Sequence, residues 1–335
     1  MMKLKIPKRD VRSHLEISST FLLFGCGIIL LKLSVNLSMM IIAETITLAS
    51  QVRLMFISHD IGHKILFRNK LSNQIWSIII GGLCGSPIES KSIGHHIHHQ
   101  YNGNLAVYSG NLLIISKQQY SGLDQRQKIA YRMSRHWLCL WVSSIIRYTV
   151  TPLLRLINGW STKKSCKRNN LLAIEVINKS KIMKITFQET RDTLGATLLF
   201  SICLVITMQT NTLGYYLFNI VLVMWITDII FHAQHNFKKS YASIGVTWEY
   251  EKALERGTCN FTFNSFGNWV TANIGMHQAH HKYPSIPFFL LKSIDDELKT
   301  KKYYKSMTIK EIIATRNYIL WDTVKMEHSM CSIHN

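Results

Sequence analysis

Apolar residues gather into four long runs, at 16–34, 36–57, 193–210 and 212–231. The first contains Phe21-Leu22-Leu23-Phe24 and Ile28-Ile29-Leu30-Leu31. A helix needs about 20 predominantly apolar residues to cross the hydrocarbon core of a bilayer, and each run approaches that length. The runs come in pairs joined by short links, Lys32 to Ser38 and Gln209-Thr210-Asn211-Thr212. The pattern therefore predicts two hairpins of spanning helices. A soluble helical protein would have to hide all four, with little polar helix surface left to cover them. Two further apolar runs, 75–88 and 136–157, carry Trp76, Trp137, Trp141 and Tyr148 and are broken or bounded by Gly, Pro or Arg. Such segments are expected to lie along the membrane interface. The polar, Lys-rich stretch 158–192 is expected to be a connector.

Charge sets the orientation. The chain has 39 Lys+Arg against 19 Asp+Glu although 47% of it is hydrophobic. Residues 1–15 hold five Lys/Arg, residues 58–192 hold nineteen and residues 232–335 hold thirteen, whereas the two short links hold Lys32 alone. Basic residues collect on the cytoplasmic side, so both termini and the middle loop are predicted there. The expected fold class is all-α integral membrane: four transmembrane helices in two hairpins with a cytoplasmic helical cap. The expected organisation is one domain over 1–335, with a basic N-terminus (1–15), a first hairpin (16–57), a first cap segment (58–192), a second hairpin (193–231) and a second cap segment with a basic tail (232–335). The first apolar run continues into a second without a small-residue cleavage site, which reads as a retained membrane segment and not a signal peptide.

The basic charge does not indicate nucleic-acid binding, because no binding motif is present and the charges are dispersed between apolar runs. The seven cysteines form no C-x-x-C and are expected to be reduced thiols. Within the second run, Arg53 is expected to snorkel toward the cytoplasm. Glu44 lies deeper, where charge is costly, and is a candidate proton or substrate contact.

The chemistry lies in the histidines. Eleven of fifteen fall in four clusters: His59 with His63; His95, His96, His98 and His99; His232 with His235; and His277, His280 and His281. None lies inside the apolar core of a span. On a helix, residues at i, i+3 and i+4 share a face, so each triplet His95/His98/His99 and His277/His280/His281 is expected to serve one metal ion. Neutral imidazole suits Zn, Cu, Fe and Ni. An all-nitrogen, thiolate-free set with this many ligands argues against a structural zinc site. A non-enzymatic, histidine-rich metal-carrying membrane protein is the rival. It would need acidic residues within its spans, where Glu44 and Asp228 are the candidates.

The order of these boxes resembles the membrane fatty acid desaturases, in which H-D-x-G-H follows a span and two H-x-x-H-H boxes follow an interfacial segment and the last span. The flanks match as well. Arg53-Leu54-Met55-Phe56-Ile57-Ser58 leads into His59-Asp60-Ile61-Gly62-His63. Gln100-Tyr101-Asn102-Gly103-Asn104-Leu105 after the second box resembles the bacterial and plastid-like acyl-lipid branch. Phe231-His232-Ala233-Gln234-His235-Asn236-Phe237 and Asn273-Ile274-Gly275-Met276-His277 resemble the Q-H-x-F and G-N-I-G runs of the family as a whole. The likeness spans roughly residues 40–290. It implies a di-iron centre, two Fe ions, ligated by His59, His63, His95, His98, His99, His277, His280 and His281, with His235 as the ninth ligand. Asn273 would orient a ligand or a metal-bound water, and Asp60 would accept from an imidazole N–H. His96 and His232 fall where the family pattern is variable and are read as bystanders. The chain departs from that pattern at Lys64-Ile65-Leu66-Phe67, at Ser90-Lys91-Ser92-Ile93 and at Lys238-Lys239, which touches headgroup and electron-donor contacts more than metal binding.

The implied reaction is O2-dependent desaturation of a long fatty acyl chain, lipid-linked or thioester-linked. Two hydrogens leave in turn to form a C=C bond, in a slot that Phe56, Trp225 and Phe231 could line. No side chain can oxidise an unactivated CH2 pair, so the metal must carry that step. The same ligands would serve a hydroxylase or ketolase of a lipid or carotenoid. No haem or flavin domain is recognisable in the sequence. Electrons are therefore expected from a separate ferredoxin-like or cytochrome-type donor, with a basic face favouring an acidic one. The remaining partners implied are O2 and membrane lipids.

Overall fold

The structure is a computed structural model and describes residues 9–105, 114–160, 185–243, 247–325 and 327–330. Most of the 158–192 connector, together with Cys166 and Cys331, lies outside the described residues. The remaining cysteines, Cys26, Cys84, Cys139, Cys203 and Cys259, are free.

Among the described residues the architecture is helical with no closed sheet. Helices α1 (Arg9–Leu33) and α2 (Leu37–Gly62) form the first hairpin. Asn36 caps α2, its side chain accepting from the Met39 N–H at 2.9 Å, a contact typically worth about 1 kcal/mol. Gly27 lets the two helices meet, because a Cβ there would collide with Thr47. Helices α3 (Lys70–Leu83) and α4 (Glu89–Tyr101) follow. The second hairpin is α5 (Phe187–Gln209) and α6 (Leu213–His235). Helix α3 has 14 residues, about 21 Å at 1.5 Å per residue, too short to cross the hydrocarbon core. It packs against α5, where Gly82 brings the backbones close: a Cβ would stand 2.7 Å from that of Leu199.

Among the described residues, five helical segments are long and apolar enough to cross a membrane. Four are those read from the sequence. The fifth, Trp137–Ile157, was expected along the interface; its length and composition also satisfy the requirement for a span. It is not a uniform helix: Leu140–Ile145 is α, Ile146–Val150 is π and Thr151–Trp160 is α. Its charge is tied down, with Asp228 of α6 accepting from Arg147 Nη1 (2.7 Å), the Tyr148 hydroxyl (2.7 Å) and the Ser144 hydroxyl. Asp228 is thus engaged within the protein by three donors from this segment. Glu44 of α2 has a buried carboxylate that faces Asn219 of α6, away from the histidines.

Arg53 does not snorkel. It is 3% exposed and pairs with Glu16 at 2.6 Å. It also donates to the Thr20 hydroxyl at 3.1 Å and to the Trp269 carbonyl, and its guanidinium stacks over Trp269. Its charge is balanced from α1, so it has no need to reach water, and it pins α1 and α2 to the cap.

The cap comprises α7 (Tyr250–Arg256), α8 (His277–Lys282), α9 (Leu291–Leu298) and short strands. Strands β1 (Ile115–Ser116), β4 (Tyr318–Asp322) and β5 (Glu327–Met330) form one sheet; β2 (Asn260–Phe261) and β3 (Ser306–Met307) form another. The core is continuous from the spans into the cap, running from Ile17 and Phe56 through Ile230 to Ala279 and Phe288.

Candidate metal centre

Two of the long apolar helices deliver the first ligand candidates because they continue past their apolar stretches. The last turn of α2 carries His59, with His63 as its C-cap. The last turn of α6 carries His232 and His235. Helix α4 supplies His95, His98 and His99, and α8 supplies His277, His280 and His281.

The nine predicted residues converge into two groups, each with ligand atoms within 4.8 Å of one another: His59, His63, His95, His99 and His280; and His98, His235, His277 and His281. The expectation that each triplet serves one ion is corrected. On a helix, i and i+4 are offset by about 40° and i and i+3 by about 60° in the opposite sense, at 3.6 residues per turn. The i,i+4 pairs therefore stay together, and the i+3 members, His98 and His280, swing into the opposite groups. The two helices cross-supply two sites.

Within the groups, imidazole nitrogens face one another at short range. His98 Nε2 lies 3.1 Å from His235 Nε2 and 3.3 Å from His281 Nε2, and His277 Nε2 lies 3.0 Å from His235 Nε2. In the other group His99 Nε2 is 2.9 Å from His95 Nε2 and 3.0 Å from His280 Nε2. A neutral imidazole has one N–H, so several nitrogens converging on one point cannot all be satisfied by one another. A metal–nitrogen bond is about 2.1 Å. Two nitrogens at right angles around one ion then stand about 3.0 Å apart, the spacing observed here. His59 and His63 Nε2 have no hydrogen-bond partner among the described residues. The donor set thus fits a divalent cation in each group.

Electrostatics agree. Burial drives His95, His98, His99, His277, His280 and His281 well below the ordinary imidazole range, with neighbouring imidazoles adding to the effect. His63 is lowered by burial to about 3. These rings are neutral at pH 7, with lone pairs free for a metal.

Around the groups, Asp60 Oδ1 lies 3.3 Å from His59 Nδ1, and its Oδ2 accepts the Phe288 N–H at 2.7 Å. Asn273 has a left-handed backbone (φ 56°) and donates to the Phe288 carbonyl at 3.0 Å. Its amide therefore reaches a histidine only through the Phe288 peptide and Asp60. His96 sits outside both groups with Nδ1 on the Ser92 carbonyl at 2.6 Å. His232 is also outside, held by Asn236 and the Thr315 carbonyl.

A cavity of about 260 Å³ opens onto His59 and His95, walled by Met55, Ile88, Tyr148 and Phe231. Of the residues expected to line a slot, Phe231 does so and stacks on His59 at 5.7 Å. Phe56 packs behind it at 5.9 Å, and Trp225 instead donates to the Trp137 carbonyl at 2.6 Å. Sequence reasoning missed Tyr148, Arg147 and Arg155 on this wall. The available signal was an acidic residue in one apolar run, Asp228, matched by an arginine in another, Arg147. It also missed Gln278, which lies inside the third box and bonds Asn260, Glu255 and the Tyr303–Lys305 backbone. The divergent residues have structural places: Ile65, Leu66 and Phe67 are buried, Lys64 pairs with Glu89 at 3.3 Å, and Lys91 donates to Ser86 at 2.7 Å.

The fatty acid desaturase family profile matches residues 37–311. The chain is 25% identical over 317 residues to a fatty acid desaturase of Bacillus subtilis (strain 168), covering 92% of this chain and 83% of that one. It is 22% identical over 261 residues to the sphingolipid delta(4)-desaturase DES1 of Drosophila melanogaster, covering 76% of this chain and 64% of that one. With a profile match over most of its length and two histidine groups able to hold metal, the chain belongs to the fatty acid desaturase family and is an oxidoreductase of that type.

Proposed function

We propose that the nine grouped histidines hold two iron ions, and that the protein removes two hydrogens in succession from adjacent CH2 groups of a long acyl chain carried on a lipid or thioester. The observation that carries this is the pairing of a five- and a four-histidine group beside an apolar-walled cavity. Iron bound there supplies, with O2, the oxidising power that no side chain possesses.

The protein's own residues do the rest. Met55, Ile88 and Phe231 offer the chain an apolar wall next to His59. Asp60 fixes the His59 ring through its Nδ1, and Phe231 stacking restrains it further. Burial keeps the imidazoles neutral and water scarce around them. The excess of Lys and Arg in residues 1–15, 58–192 and 232–335 supports a multi-pass arrangement with both termini and the histidine groups on the cytoplasmic side. Electrons come from a separate protein.

Lipid mass spectrometry of cells expressing the chain with a reductase tests this reading. The expected product is an acyl chain lighter by two hydrogens, absent when His98 or His280 is replaced by alanine. A product heavier by one oxygen, or unchanged lipids, would contradict it.

A further inference from the structure

Helix α4 carries His95 and His99 of the five-histidine group and His98 of the four-histidine group, so its placement bears on both metal positions at once. Metal ligands must be held within about 0.5 Å of their working positions, and a helix fixed at one end only can turn and slide as a unit. The far end of α4 is tied to the cap. There Trp248 Nε1 donates to the Asn102 carbonyl at 2.9 Å, and Asn102 Nδ2 donates to the Gly257 carbonyl at 3.2 Å. The start of α4 has no such tie from its own sequence. Its N-cap residue is Ile88, whose side chain cannot accept a hydrogen bond, and the first N–H groups of a helix find no partner within it.

The missing acceptor comes from α5, a helix without a histidine. Asp192 Oδ2 accepts from the Ile88 N–H at 2.9 Å and from the Glu89 N–H at 3.0 Å, and its Oδ1 accepts from the Ser77 hydroxyl of α3. Asp192 is buried. One turn earlier on the same face of α5, Gln188 Nε2 donates to Glu89 Oε1 at 2.7 Å. A carboxylate in this position is favoured twice, by the N–H groups it satisfies and by the positive end of the helix dipole. The start of α4 is thus held by the second hairpin, from a distance of about a hundred residues in the chain.

We propose that Asp192 is a positioning residue for the metal centre: by capping α4 from the second hairpin, it fixes the rotation and height of that helix and so the ligand geometry of both histidine groups. The proposal rests on the metal-centre reading and adds to it a residue that touches no histidine ring. Its action differs from that of Asp60, which bears on His59 and therefore on one group. Displacing the start of α4 moves His95, His98 and His99 together, so both metal positions change in parallel. Ser77 braces the Asp192 carboxylate but makes no bond to α4 itself, so its hydroxyl is dispensable as long as the two N–H bonds persist.

The test uses the full-length, iron-loaded protein in detergent. Mössbauer spectroscopy reads the signals of the two irons, and chelator competition reads iron affinity. Asp192→Ala is expected to alter both iron signals and to lower affinity about fivefold or more, the factor that loss of a helix cap implies. Asp192→Asn keeps an oxygen toward the N–H groups and can bond Ser77 through its NH2. It is expected to show a smaller change of the same kind, and it carries the test should the alanine variant fail to fold. Ser77→Ala leaves both N–H bonds in place and is expected to keep the wild-type signals. A merely structural role would lower Tm while the iron signals and affinity stayed as in wild type, and that result would overturn the proposal. So would a change confined to one iron, or a Ser77→Ala variant as altered as Asp192→Ala. A wild-type protein that retains no iron would instead defeat the underlying metal-centre reading, and this proposal with it.

Discussion

His98 and His99 are consecutive in the chain, yet His98 closes the four-histidine group and His99 joins the five-histidine group. A helix turns about 100° per residue, so neighbours on α4 necessarily face different directions, and here each direction has its own cluster. His98→Ala and His99→Ala should therefore impair different metal positions while both abolish desaturation. Loss of product by at least about tenfold is expected in each, given that even indirect contacts to metal ligands are worth that much. His96→Ala should retain product, since His96 lies outside both groups. Acyl-chain analysis of the three variants checks this; an active H98A or an inactive, well-folded H96A would contradict the assignment.

Asp60 touches His59 and the Phe288 N–H together. Asp60→Asn keeps the size but weakens acceptance from His59 Nδ1. Iron affinity should drop about 10–100-fold, read by chelator competition, with the helical circular dichroism unchanged. Asn273→Ala, which loosens the Phe288 peptide from the other side, should produce a smaller change in the same direction.

Acid should destabilise the metal-free protein. Burial holds His63, His95, His98, His99, His277, His280 and His281 below the unfolded value near 6.5. Above that value both folded and unfolded chains carry neutral rings, and the stability contribution is fully present. As pH falls below it, the unfolded chain binds protons that the folded chain refuses, so stability declines, by up to about 1.4 kcal/mol per pH unit for each such ring. Thermal unfolding of the metal-stripped protein should show a lower Tm at about pH 5.5 than at about pH 7.5. Iron should be released over the same acid range, because protons compete for the same lone pairs. An equal Tm at both pH values would count against neutral, buried rings.

The pair between Arg53 and Glu16 should be asymmetric. Arg53 is 3% exposed and Glu16 26%, so removing the acid strands a buried cation. Glu16→Ala is expected to cost about 3 kcal/mol. Arg53→Lys should also destabilise, because an ammonium cannot reproduce the bonds to Glu16 and Thr20 together with the stacking on Trp269. Thermal unfolding in detergent checks both, and a Glu16→Ala variant as stable as wild type would contradict the account.

The spans and the histidine boxes were legible because each rests on a local rule: apolar length for the first, helical spacing for the second. What was not legible depends on partners distant in sequence. His98 and His280 lie three residues from His95 and His277, close enough on a helical wheel to be read with them, and only the placement of His59 by α2 and His235 by α6 shows that the small angular offset sends them to different groups. Arg53 reads as a residue seeking water until Glu16 of α1 is brought beside it. The strands β1 to β5 span two to five residues, too few for any alternation to register. The segment 136–157 carried both signals, apolar length and interruption, and only the pairing of Arg147 with Asp228 and of Arg155 with Glu189 shows how its two arginines are accommodated.

The account stands most directly on the iron content of the purified protein, measured by inductively coupled plasma mass spectrometry against protein concentration. Two irons per chain are predicted for the wild type. None in a protein that is folded and was grown with iron, or a content unaffected by replacing His98 and His280 together, would contradict it.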